Sequence, residues 1–116
     1  MLPHPNHPLI GKAVFHRTNN GYGSVDGTFS RVLAVVSNKN KILIHAVDLM
    51  TSKIAVLSDD LLLATEADGK IETARGGCFL YIDKFDKPHR VDGASNNLYR
   101  RKKELYFLHG VPYATM

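Results

Sequence analysis

Cys78 is the only thiol among 116 residues, and it follows Gly76-Gly77. A cysteine on a tight turn beside a histidine is the arrangement of a nucleophilic pair. Cys78 also opens the apolar run Cys78-Phe79-Leu80-Tyr81-Ile82. Free cysteine in such a run is among the most buried residue types, so a core position is the stronger reading. His4 and His7 stand as H-x-x-H, a spacing that would align two imidazoles on a helix, but Pro5 and Pro8 forbid that helix. With no cysteine nearby, the pair reads as part of a polar arm rather than a metal site. His16, His45 and His109 stand singly in apolar contexts, and nothing in their spacing pairs them. Asp59-Asp60 would point to opposite faces of a strand, which suits a turn or cap better than a two-carboxylate site. Gly21-Tyr22-Gly23 lacks the helix N-terminus that phosphate-cradling loops need, because the strand-like Thr28-Phe29-Ser30-Arg31-Val32 follows. Tyr22 at the tip of that loop is an aromatic placed where ligands are often met. No catalytic residue, metal ligand set or cofactor site emerges, and an enzyme is less expected than a binding protein.

The strongest signal is electrostatic. Residues 1–69 carry six Lys/Arg and six Asp/Glu, whereas residues 70–116 carry nine against five, so the net +4 lies wholly in the last part of the chain. Lys84, Lys87, Arg90, Arg100, Arg101, Lys102 and Lys103 supply most of it. Phe85, Tyr99, Tyr106 and Phe107 lie among or beside them. Cations neutralise phosphates and aromatic faces stack on unpaired bases, so Lys84, Lys87, Arg90, Tyr99 and Arg100 to Lys103 form a candidate nucleic-acid-binding set, for DNA or RNA. The competing reading is a solvated surface beside a core strand. Four consecutive cations at 100–103 are the least ordinary part, because like charges in a row repel unless an anion is expected.

The elements that must position these groups are short β-branched runs: Val32–Val36, Ile42–Val47, Ile54–Leu57 and Leu61–Leu63. Asn38-Lys39-Asn40, Thr51-Ser52-Lys53 and Ser58-Asp59-Asp60 cut them apart, which predicts strands in an antiparallel meander. Leu9–Arg17 predicts a first strand with a bulge at Gly11, and the prolines of residues 1–8 predict an extended arm outside any ladder. Asp68-Gly69 is a two-residue turn signal. Cys78–Ile82 is apolar on both faces and predicts a central strand covered on both sides. Val35, Ile44, Val56, Phe79 and Ile82 are expected among the most buried residues. Over residues 95–109 Ser95 as a cap and the leucines at 98, 105 and 108 favour a helix, while the aromatics favour a strand; the helix is preferred.

The expected architecture is therefore mainly β. It is a single domain over 1–116, a small SH3-like or partly open β-barrel on an antiparallel meander, with one short C-terminal helix. A two-layer α+β sheet is the alternative. A chain of this length buries a core without disulfides. The lone cysteine, the lack of a signal-peptide pattern and the lack of a membrane-length apolar run lead to the expectation of a cytoplasmic protein.

Arg31-Val32-Leu33-Ala34-Val35-Val36-Ser37-Asn38, after a glycine-rich loop, resembles the corresponding strand of the barrel-shaped toxin ribonucleases of toxin–antitoxin pairs. That resemblance implies an SH3-like barrel cleaving single-stranded RNA. Val32 stands where those proteins usually place a proline, and no catalytic residue carries over. Three functions follow in order: a non-catalytic nucleic-acid-binding or accessory module, a protein–protein assembly subunit, and a barrel-type ribonuclease. In the second, the chain would pair with itself through the N-terminal arm or an apolar strand.

Overall fold

The computed structural model describes residues 2–19, 25–57, 61–99 and 103–113. Among them the chain is all strand and turn. The strands are β1 (Leu2–Pro3), β2 (Ala13–Asn19), β3 (Val25–Asn38), β4 (Lys41–Asp48), β5 (Ile54–Leu57), β6 (Leu61–Ala67), β7 (Lys70–Thr73), β8 (Phe79–Tyr81), β9 (Asn96–Tyr99), β10 (Lys103–Leu108) and β11 (Val111–Tyr113). They form one antiparallel sheet in the order β11-β10-β9-β8-β7-β6-β2-β3-β4-β5, with β1 beside β3. No helix among the described residues is long and apolar enough to cross a membrane.

Two meanders, β2 to β5 and β6 to β11, meet where β6 pairs with β2. The run Leu61–Leu63 thus leaves the first meander and does not extend it. Flat, the four ladder steps from β6 to β5 would span about 19 Å. The three residues between Leu57 and Leu61 bridge at most about 14 Å, so the sheet must curl. It forms a half-barrel whose inner cluster is Val14, Val32, Val35 and Ile44, with Leu57 and Leu61 packed against it. A β-bulge at Leu33 lets both Val32 and Val35 face inward, since without the extra residue they would point to opposite faces. The second cluster joins Ala13, Phe15, Phe29, Leu49, Ile71, Leu80 and Leu98 across the two meanders. Phe15 lies over Gly27, where any side chain would collide with its ring.

Several expectations need correction. Among the described residues of 95–109 there is no helix: Asn96–Tyr99 and Lys103–Leu108 are strands, with Lys103 opposite Tyr99 and Leu105 opposite Asn96. Asn96 and Leu98 are buried while Asn97 between them is half-buried, an alternation that outweighs the leucine spacing. The arm does join a ladder, because His4 N–H donates to Val35 O at 2.8 Å and so supplies the donor that Pro3 lacks. Gly11 belongs to a turn before β2 and not to a bulge. Val35 and Ile44 are buried, but Val56 is exposed on a terminal strand, and Phe79 and Ile82 are half-buried. β8 is covered more deeply on one face than on the other: Leu80 is buried, while Phe79 and Tyr81, on the opposite face, are half-buried. Lys39-Asn40 and Asp68-Gly69 take the paired positive φ of type I′ hairpins. Not every turn signal holds: Asp26-Gly27, an Asp-Gly pair of the same kind, lies within β3, and Ser58-Asp59-Asp60 falls outside the described residues.

Candidate nucleic-acid interface

The outward face of β8 is built by alternation. In β7 Ile71 and Thr73 are buried, which leaves Lys70 and Glu72 on the other face. The register sets Lys70 opposite Tyr81 and Glu72 opposite Phe79. Lys70 Nζ lies 5.6 Å from the Tyr81 ring centre and 5.8 Å from that of Phe79. The two rings meet edge to face at 5.8 Å. The Arg90 guanidinium carbon sits 4.2 Å from the Tyr81 ring centre, within cation–π distance. Arg90 is held there locally: Nε donates to Asp92 at 2.9 Å and Nη1 to Ala94 O at 3.2 Å. Asn97 fixes the start of β8, accepting from Phe79 N–H at 2.9 Å and donating to Gly77 O at 2.7 Å. Lys70 is paired with Glu72 at 3.5 Å and Arg90 with Asp92, so the two cations of the quartet are balanced by neighbouring carboxylates and the patch as a whole is nearly neutral.

Of the candidate residues whose side chains are described, only Arg90 joins Lys70, Phe79 and Tyr81 in this quartet. Lys84 lies over exposed Phe85 at 5.1 Å, and Lys87 Nζ donates to Ser52 Oγ at 2.8 Å. Both belong to the 83–88 turn and make no described contact with the quartet. Tyr99 and Lys103 are described as paired backbone. Arg100, Arg101 and Lys102 lie outside the described residues, as does Tyr22. By connectivity Arg100-Arg101-Lys102 joins β9 to β10, whose first residue is Lys103, and β9 is the neighbour of β8. Lys70, Phe79 and Tyr81 were missed because a run of five apolar residues reads as covered on both faces. The available signal was Tyr81 itself, since a tyrosine hydroxyl seeks water or a partner.

Two further polar sites flank the 83–88 turn. Arg31 donates to Glu66 at 2.6 and 3.0 Å, to Asp86 at 3.2 and 3.1 Å, and to Gly11 O at 3.1 Å. The hydrogen bond to Glu66 foremost raises the Arg31 pKa and lowers that of Glu66. Asp83 accepts from the N–H groups of Phe85 (2.8 Å) and Lys87 (3.0 Å) and pairs with His109 Nδ1 at 2.7 Å. Burial pushes the Asp83 carboxyl up, but these bonds outweigh it and hold it below its ordinary value. His109 stacks on His89 with ring centres 3.9 Å apart. The parallel rings do not converge on a point, and among the described residues no three His, Cys, Asp or Glu side chains gather as a metal site. His16 bonds Ser30 Oγ at 2.9 Å, and burial lowers its pKa against the pull of Asp48. Cys78 is free and half-buried, packed against the second cluster.

No family model, curated protein or solved structure matches the chain.

Proposed function

We propose that this protein binds single-stranded nucleic acid without cleaving it, with the outward face of β8 as the stacking platform and the 100–103 cations as the phosphate-binding element. The observation that carries this reading is half-buried Tyr81 flanked by Phe79, Lys70 and Arg90 on the outward face of β8. Aromatic rings and guanidinium planes on such a face accept unpaired bases of any sequence. The near-neutral patch supplies stacking rather than charge, and the charge comes from the adjoining segment. Within this reading the half-barrel is an SH3-like barrel, to be checked by superposing an experimental structure on barrels of that type. The setting is the cytoplasm, which cell fractionation would test.

Anisotropy titrations with a labelled single-stranded oligonucleotide test the function. Tyr81→Ala should weaken binding by about 1–3 kcal/mol, the contribution of one stacked base, with the fold unchanged by circular dichroism. Changing Arg100, Arg101, Lys102 and Lys103 to Gln should flatten the salt dependence, each lost phosphate contact removing roughly 0.7 from the log–log slope. An absence of binding to both DNA and RNA at low salt would sink the proposal.

A further inference from the structure

The sheet ends at β5 on one side and β11 on the other. The two ends are made differently. β11 carries Pro112, which has no N–H to offer a neighbour. β5 reads Ile54-Ala55-Val56-Leu57, without proline or charge. Ile54 is 68% exposed and Val56 55%. Asp48 N–H donates to Lys53 O at 2.8 Å, so in the alternating ladder Ala55 and Leu57 bond to β4. Ile54 and Val56 then point their N–H and C=O groups away from the sheet. No described backbone group bonds to them. An uncharged edge of this kind is a template for another strand, and proteins normally blunt it.

We propose that β5 is a pairing edge and that its occupant is β5 of a second copy of this chain, antiparallel, about a two-fold axis at Ala55. In that register Ile54 exchanges two hydrogen bonds with Val56 of the second copy, and symmetry supplies two more. All four outward backbone groups are satisfied, and the exposed Ile54 side chain packs on the exposed Val56 across the axis. The charges also fit: Lys53 comes opposite Leu57 of the second copy and not opposite its own equivalent. Four hydrogen bonds and a small apolar contact make a weak, concentration-dependent dimer, at the low end of interface sizes. The β8 platforms lie far from this edge in strand order and stay free in both copies.

Sedimentation equilibrium of the full chain tests this. The mass should rise from monomer towards dimer as concentration increases. Val56→Pro removes an outward N–H and no bond to β4, so it should stay monomeric with unchanged circular dichroism. If it fails to fold, Ile54→Lys serves the same purpose by placing a cation against the second copy's apolar edge. In a Cys78→Ser background, Ala55→Cys should form an intermolecular disulfide on mild oxidation, because directly opposed residues that exchange no hydrogen bonds bring their Cα atoms to about 4.5 Å. A wild-type protein that stays monomeric at every concentration would overturn the proposal. So would a dimer indifferent to both edge variants, which would place the contact elsewhere.

Discussion

Arg31 and Arg90 sit in the same molecule, each beside carboxylates, and are used in opposite ways. Arg31 spends all five donors on Glu66, Asp86 and Gly11 O, tying β3 to β6, to the 83–88 turn and to the chain before β2. Its side chain is only 15% exposed. Arg90 is anchored to residues two and four positions further along, and its guanidinium carbon sits over the half-buried Tyr81 ring. A guanidinium whose bonds span distant elements acts as a tie, and its removal is felt by the fold. A guanidinium held by near neighbours over an aromatic ring adds little to the fold and has a surface left to offer. Local chemistry is alike at the two sites; the sequence distance of the partners separates them.

Removing Arg31 should give the largest effect. Arg31→Ala strands two carboxylates around one site and should cost roughly 2 kcal/mol, below the range for fully buried pairs because Glu66 and Asp86 can rehydrate. Urea unfolding would measure this. Arg31→Lys should recover only part of it, since an ammonium cannot serve two carboxylates bidentately. Full stability in Arg31→Ala would break the distinction.

Arg90→Ala is the converse. Its unfolding free energy in urea should stay within about 0.5 kcal/mol of the parent, as for a surface substitution. Its oligonucleotide affinity should fall by roughly tenfold if the guanidinium carries part of a base stack. A variant that loses stability instead of affinity would make Arg90 another tie.

Acid gives the finest test. Glu66 has a folded pKa below its unfolded value of 4.5, so its contribution is complete above that pH and is lost as pH falls through the folded pKa. Its exposure of 37% keeps the effect small. Arg31→Ala should abolish this loss. His16 also has a lowered pKa, and the protein loses stability as pH drops below 6.5 towards the folded value, where the loss is complete. His16→Gln should remove that earlier loss and leave the Glu66 window in place. Stability profiles from pH 8 to pH 3 would separate the two (roughly the span over which carboxylates and histidines titrate). A single unchanged profile in both variants would refute the assignment.

Most strands and hairpin turns were legible because β-branched runs and Asn, Asp or Gly pairs report directly on local backbone preference; β9 and β10 were not, since the leucines at 98, 105 and 108 stand at helical spacing. Asn38-Lys39-Asn40 and Asp68-Gly69 were placed by that signal alone. Strand order was not. Nothing local says that Leu61–Leu63 will desert β5 for β2, since that choice rests on closing the half-barrel over Val14, Val32, Val35 and Ile44. The face of β8 was hidden for a related reason: Phe79, Tyr81 and Leu80 are all apolar enough to be buried, and only the register with β7 decides which one is. At the candidate site Arg90 was named from its charge, whereas Lys70 became a partner of Tyr81 through a pairing that no spacing reveals.

β2 and β3 line both clusters. Val14 points into the half-barrel and Phe15 into the second core, while Phe29 and Val32 divide β3 in the same way. Neither core can therefore melt and leave the other intact, because each would lose a wall that it shares. The molecule has two hydrophobic centres but one thermodynamic unit, and slow amide exchange should be concentrated in the strands common to both.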